Sequence, residues 1–306
     1  MTTEPQNELS SLLAPELLSL SACGHSWGLT PVFAPLWRAD GSLYALELLS
    51  QLHDPVSGDK LPPDTFFSQA APREQMRALR WQMTLLTGLQ PLCRQCDIPI
   101  SININRTLAM GLLTASDLPG MVREMAPYIR LEISEHFLSP PLPPGKDVLL
   151  EALQSLAPLW LDDYGAGTTS LPWLMSGTFE QVKIDRHLFD YLFRHAGGRD
   201  YLKALGKLAR VKGTGLVAEG VEDETLLAFA RKSQVQACQG WRWPHLTLDE
   251  LATLPASLPE AMKRQVKCAE PPACVTPDLS GENAFADLLS YQTHRDLVHR
   301  CATWKI

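Results

Sequence analysis

Apolar residues in this chain fall into short runs closed by polar or glycine-containing segments, and the runs predict eight strands. Pro31 to Leu36 and Ser42 to Leu49 flank Asp40-Gly41, a hairpin signal that makes the first strand antiparallel to the second. Ile98 to Asn103, Ile129 to Ser134, Leu159 to Asp162, Phe179 to Ile184, Gly215 to Ala218 and Gln236 to Gln239 supply the other six. Between them the pattern turns helical over Pro72 to Cys93, Thr107 to Met125 (broken at Pro119-Gly120), Asp147 to Leu156, Asp200 to Val211 and Asp223 to Lys232. A further helix is expected to begin near Ser170, with Pro172 in its first turn. Strand and helix alternate from the third strand onward, which predicts a parallel sheet. Eight strands in about 210 residues fit an α/β fold closed as a TIM-like (β/α)8 barrel better than an open sheet.

The barrel pattern occupies residues 28–254 and leaves a segment at each end. In residues 1–27, the leucine-rich stretch Leu9 to Leu20 is interrupted by Pro15 and Glu16. It predicts an amphipathic helix, too short and polar to span a bilayer. Residues 255–306 open with Pro255, Pro259, Pro271, Pro272 and Pro277, the composition of a linker. They end in a helical pattern, Glu282 to Trp304, built on Phe285, Leu288, Leu289, Leu297 and Val298. Docking on the barrel, a dimer contact and a protein partner are all open to that helix.

At 306 residues, 45% hydrophobic and 20% charged, the chain has the composition of an ordinary globular protein. A net charge of -7 without a Lys/Arg run argues against binding to DNA or to a membrane surface. The cysteines (Cys23, Cys93, Cys96, Cys238, Cys268, Cys274 and Cys301) are odd in number and scattered, which points to reduced thiols and a cytoplasmic address. Cys93-Arg94-Gln95-Cys96 has zinc-like spacing, but no second close pair completes a site.

Candidate chemistry centres on Leu159-Trp160-Leu161-Asp162-Asp163-Tyr164-Gly165-Ala166-Gly167, where an apolar run meets two adjacent carboxylates and a glycine turn. Side chains alternate along a strand, so the two carboxylates point apart if the strand continues through them. In barrels of this kind, chemistry is assembled at the carboxyl ends of the strands. The polar residues at those ends are Glu47, Asn103, Glu132, Asp162, Asp163, Lys183, Glu219 and Gln239. Five carboxylates against one lysine demand cations, and oxygen donors without His or Cys select Mg²⁺ or Mn²⁺ over zinc. Two such ions suit displacement at phosphorus, because they neutralise the phosphoryl oxygens.

These residues lie in motifs that resemble the EAL-domain family of cyclic-di-GMP phosphodiesterases: Glu47-Leu48-Leu49, Ser101-Ile102-Asn103, Leu131 to Glu135, Asp162 to Gly167, Lys183-Ile184-Asp185, Ala218 to Glu222 and Gln239-Gly240. The resemblance covers residues 28–250. Leu61-Pro62-Pro63-Asp64 and Trp160 to Asp163 make it most similar to the short, stand-alone soluble members that favour motility over biofilm. It implies opening of cyclic-di-GMP to linear pGpG. It further implies two ions held by Glu47, Asn103, Glu132, Asp162 and Asp163, with Lys183, Glu219 and Gln239 handling the attacking water. Glu135 would steady the loop after Asp163, while Leu49, Ser50 and Asp185 would meet the substrate. A homodimer through helices near that loop is also implied. Ser50 stands where the family usually carries an Arg that touches substrate phosphate, and Ala34 replaces a usual Gln. Tyr164, Ala166 and Thr168 are milder departures. Loss of the Arg weakens binding by about 1–3 kcal/mol and leaves the metal ligands in place. A regulator that binds nucleotide or protein without turnover is the alternative.

Overall fold

The computed structural model describes residues 18–22, 24–138, 144–167 and 171–251. Its strands are β1 (Leu18–Ala22), β2 (His25–Trp37), β3 (Leu43–His53), β4 (Lys60–Leu61), β5 (Ile100–Asn103), β6 (Ile129–Ser134), β7 (Leu159–Tyr164), β8 (Phe179–Ile184), β9 (Gly215–Ala218) and β10 (Ala237–Cys238). They pair in the order β1-β2-β10-β9-β8-β7-β6-β5-β3-β4, and a long β2–β3 hairpin closes the ring. The ring is the expected TIM-like barrel of eight strands. Within the ring, β2 runs antiparallel to its neighbours β3 and β10 and the other adjacent pairs run parallel, while β1 and β4 add antiparallel to β2 and β3 outside it.

Outside the ring, the main core forms where the helices cover the strands. The helices are α1 (Pro63–Gln69), α2 (Pro72–Cys96), α3 (Arg106–Thr114), α4 (Leu118–Met125), α5 (Val148–Gln154), α6 (Leu171–Leu174), α7 (Arg186–Arg194), α8 (Gly198–Arg210), α9 (Glu224–Lys232) and α10 (Leu248–Leu251). Inside it, Leu36, Tyr44, Ala45, Trp160, Val217 and Ala237 make a separate apolar plug. Trp160 stacks on Tyr44 at 6.0 Å between ring centres, and its indole N–H donates to Glu180 at 2.8 Å. This plug decides where polar chemistry can go. Side chains two apart on a strand share a face. The residues two beyond Ala45, Trp160, Val217 and Ala237 are Glu47, Asp162, Glu219 and Gln239, which therefore stand on the plug at the carboxyl-terminal mouth.

Several expectations are corrected. Leu18–Ala22 is a strand rather than part of a helix: Leu18, Leu20 and Ala22 alternate with Ser19 and Ser21, a period of two, and Leu20 and Ala22 pack with Leu29, Leu52, Phe66, Ala70 and Ala78. The rest of that leading stretch lies outside the described residues, as do the expected C-terminal linker and helix, 255–306. Pro119-Gly120 does not break a helix; α3 ends at Thr114, and Pro119 sits in the first turn of α4, where its missing N–H costs nothing. The helix expected near Ser170 is confined to Leu171–Leu174. Arg186–Arg194 forms a further helix, capped by Asp185, that buries Leu188, Phe189 and Leu192 on one face. Cys93 is fully buried in the core, where burial pushes its thiol up to about 12, and the partly buried Cys96 packs against that core. No helix among the described residues is long and apolar enough to cross a membrane.

Candidate active site

Lys183, 1% exposed, is the hub of the barrel mouth. Its ammonium lies 3.0 Å from Glu47, 3.1 Å from Asp162 and 2.9 Å from Glu219, and it donates to Glu132 as well. The four carboxylates come from β3, β7, the end of β9 and β6. Glu47 is the most tightly held: Asn103 donates to its Oε1 at 2.8 Å, and Gln239 donates to its Oε2 at 2.8 Å. Seven of the eight strand-end residues are thus linked directly around two side chains, Lys183 and Glu47.

The eighth, Asp163, joins in a way strand alternation forbids. Pairing between β7 and β8 is irregular from Leu161 to Tyr164, and Asp163 has a left-handed φ of 58°. A bulge of this kind re-aims a side chain, and Asp is among the few residues that tolerate the conformation. Asp162 and Asp163 therefore converge instead of pointing apart. Ligand oxygens of Glu47, Glu132 and Asp162 lie within 4.8 Å of one another, and so do those of Asp162, Asp163 and Glu219. Asp162 belongs to both groups.

The charges show the strain of this crowding. Burial raises Glu132 well above the usual carboxylate range, with Glu47 and Asp162 adding to the effect against Lys183. Glu219 is raised well above that range too, by burial and by Asp162 and Glu47. Asp163 is pushed up to about 7 by burial and by Asp162. Burial acts in the same direction on Glu47, but the Lys183 charge and the Gln239 and Asn103 hydrogen bonds outweigh it, so Glu47 stays below its ordinary value. Lys183 is held well above its own, because its four acidic neighbours overcome the cost of burial.

Among the described residues, Glu132 Oε2 and Gln239 Oε1 are buried acceptors with no hydrogen-bond donor. Oxygens left in that state, beside two groups of three carboxylates, fit hard divalent cations. Glu47, Glu132, Asp162, Asp163 and Glu219 supply the oxygens of those two groups, and Asn103 adjoins them through its bond to Glu47.

The loop after Asp163 is braced from beneath. Glu135, on a single 3₁₀ turn after β6, accepts from the Gly165 amide at 3.1 Å. A Cβ on Gly167 would sit 2.4 Å from the other Glu135 oxygen, so a larger residue there would push this carboxylate out of its place under the loop.

Two clefts open on either side of the cluster. One, of about 350 Å³, is bounded by Glu47, Glu132 and Asp162 and holds Leu49 and Ser50. The other, of about 240 Å³, is bounded by Asp163 and Glu219 and holds Ala34, Asp185 and Trp241. Asp185 lines that cleft while also capping α7, its carboxylate accepting from His187 N at 3.0 Å and Leu188 N at 3.3 Å. Sequence reasoning missed Gln82, Arg186 and Trp241. Trp241 alone carried a signal, a tryptophan directly after Gln239-Gly240; it is 77% exposed on the cleft wall.

The EAL domain family model matches residues 20–243, the span that holds every residue of the cluster. The cyclic di-GMP phosphodiesterase PdeH of Escherichia coli K12 is 29% identical over 210 residues, covering 68% of this chain and 79% of PdeH. The putative anti-FlhC(2)FlhD(4) factor YdiV of the same strain is 23% identical over 223 residues, 72% of this chain and 93% of YdiV. The crystal structure of YdiV, an EAL-like domain protein, superposes with a TM-score of 0.69 at 22% identity over 76% of this chain and 97% of its own. A manganese/cyclic-di-GMP complex of Klebsiella pneumoniae BlrP1 superposes at 0.57 with 17% identity, over 72% and 56%. The chain belongs to the EAL domain family.

Proposed function

We propose that this protein hydrolyses cyclic-di-GMP to linear pGpG with Mg²⁺ or Mn²⁺, and so lowers a second messenger that opposes motility. The observation that carries the reading is the pair of three-carboxylate groups sharing Asp162, set between two clefts at the barrel mouth. A cyclic dinucleotide has a phosphodiester between two bulky bases, and a reactive centre flanked by two clefts matches that shape. Two ions at those groups would neutralise the phosphoryl oxygens and favour ionisation of a nearby water.

The chain's own groups supply the rest. Lys183 offsets part of the acidic charge and fixes four carboxylates at once. Asn103 and Gln239 hold both oxygens of Glu47, so its orientation is set before any substrate arrives. Glu219, 18% exposed at the edge of the cluster, has the raised proton affinity that suits a base taking a proton from the attacking water. The water oxygen bonds to phosphorus, the P–O3′ bond breaks, and O3′ takes a proton as the ring opens. Trp241 offers a flat face on which a guanine can stack.

A homodimer in the cytoplasm is part of the same reading: Leu171 (42% exposed) and Met175 (37% exposed) leave apolar surface just beyond the Asp163 loop. The second reading, binding of nucleotide or protein without turnover, draws on the similarity across most of YdiV. Incubating the purified protein with cyclic-di-GMP and Mn²⁺, and resolving the products by chromatography, separates the two. Linear pGpG supports the enzyme; intact cyclic-di-GMP that nonetheless binds by calorimetry supports the regulator.

A further inference from the structure

The two clefts at the barrel mouth differ in charge. Arg186 and His245 stand on the wall of the one beside Asp163 and Glu219. Among the described residues lining the one beside Glu47, Glu132 and Asp162 there is no cationic side chain. Beside the carboxylates of Glu47, Asp64, Glu132 and Asp162, the protein donors open to an anionic group in that cleft are the neutral side chains of Ser50, Gln82, Asn103, Asn105 and Ser134. Asn103 and Asn105 each spend an amide N–H within the protein: Asn103 donates to Glu47 at 2.8 Å, while Asn105 accepts from Leu108 N at 2.8 Å and donates to Gln75 at 3.1 Å.

Ser50 and Gln82 are arranged differently. Gln82 lies on α2 and is 6% exposed, as is Ser50 on β3. The Gln82 Nε2–H donates to Ser50 Oγ at 2.9 Å, and both residues line the cleft. A hydroxyl that accepts on one side keeps its own hydrogen for another partner. With Gln82 filling the acceptor side, the Ser50 hydrogen is turned away from the helix.

We infer that Gln82 is a positioning residue for substrate: it orients the Ser50 hydroxyl so that this hydroxyl donates to a phosphate oxygen of the bound nucleotide. The inference rests on the phosphodiesterase reading and deepens it by naming a neutral phosphate contact in the cationless cleft. It also accounts for a buried glutamine set among Ala78, Leu79, Leu85 and Leu86 on that helix.

Steady-state hydrolysis of cyclic-di-GMP with Mn²⁺ by wild type, Ser50→Ala, Ser50→Thr, Gln82→Met and the Ser50→Ala/Gln82→Met double variant tests it, each variant being checked by thermal melting. Ser50→Ala is expected to raise KM about tenfold with kcat within about twofold, the loss of one hydrogen bond to a charged group. Ser50→Thr, which keeps the hydroxyl, restores most of the affinity. Gln82→Met, close in size, raises KM several-fold, and the double variant is no worse than Ser50→Ala because Gln82 acts through Ser50. Wild-type KM in Gln82→Met, or fully additive effects in the double variant, overturns the inference while leaving the phosphodiesterase reading intact. If wild type binds without turnover, the same comparison is made on Kd with Ca²⁺ present. If wild type neither binds nor cleaves cyclic-di-GMP, the functional reading falls and the inference falls with it.

Discussion

Lys183 on β8 and Glu47 on β3 are 136 positions apart in sequence and 3.0 Å apart in the fold, both buried. The contact spans the barrel mouth, and it explains how an acidic cluster survives in a protein interior. Breaking a buried ion pair by removing one partner costs about 3–5 kcal/mol, because the remaining charge has nothing to offset it. Lys183→Met is therefore expected to lower the melting temperature sharply in EDTA, and to recover part of the loss when Mn²⁺ is added. Thermal melts with and without the ion check this.

Glu219→Gln is expected to do the reverse to stability. It removes a carboxylate that Asp162 and Glu47 repel, so the metal-free protein melts at or above the wild-type temperature. Turnover falls by about a hundredfold or more if Glu219 is the base. A variant that is no less stable and nearly inactive, seen in paired melting and product assays, separates a chemical role from a structural one.

The pH dependence has a definite sign. Asp163 is raised from 3.8 to about 7 in the folded chain, so the fold binds a proton there that the unfolded chain has lost. Its contribution to stability is complete below 3.8 and disappears as pH rises through about 7. Metal-free protein should thus melt lower at pH 8 than at pH 6. Ion binding displaces that proton, so Mg²⁺ affinity should increase over the same window, with proton release visible as a buffer-dependent heat in calorimetry.

Trp241 is exposed and carries little of the fold, so Trp241→Ala should leave the melting temperature unchanged. Loss of a base-stacking face is worth about 1–3 kcal/mol, which corresponds to a KM raised by about tenfold or more with kcat largely kept. Unchanged KM would remove Trp241 from the substrate site.

Much of this arrangement was legible because a barrel strand reads as an apolar run with its chemistry at the end. Asp162 and Glu219 close or follow such a run, each two positions after a plug residue (Trp160 and Val217) that sets its side of the strand, while Glu132 and Lys183 lie within a run near its end. Asp163 was legible as a carboxylate but not as a partner of Asp162, since its left-handed backbone arises from irregular pairing with β8 that no local pattern announces. Gln82 was hidden for a related reason. It lies in a helix whose apolar spacing is complete without it, and its value comes from Ser50, 32 positions away across the fold. The edge strand β1 reads as helix in the sequence because its leucines satisfy a helical template until pairing with β2 is known. Asp185, expected to meet substrate, lines the second cleft but also serves as a helix cap, a role visible in the two backbone amides it receives.

Product formation is the most direct measurement. Wild-type protein loaded with Mg²⁺ or Mn²⁺ should convert cyclic-di-GMP to linear pGpG, and chelation or Glu47→Ala should stop the conversion while the fold persists by circular dichroism. Cyclic-di-GMP recovered intact from the metal-loaded, correctly folded protein would contradict the account.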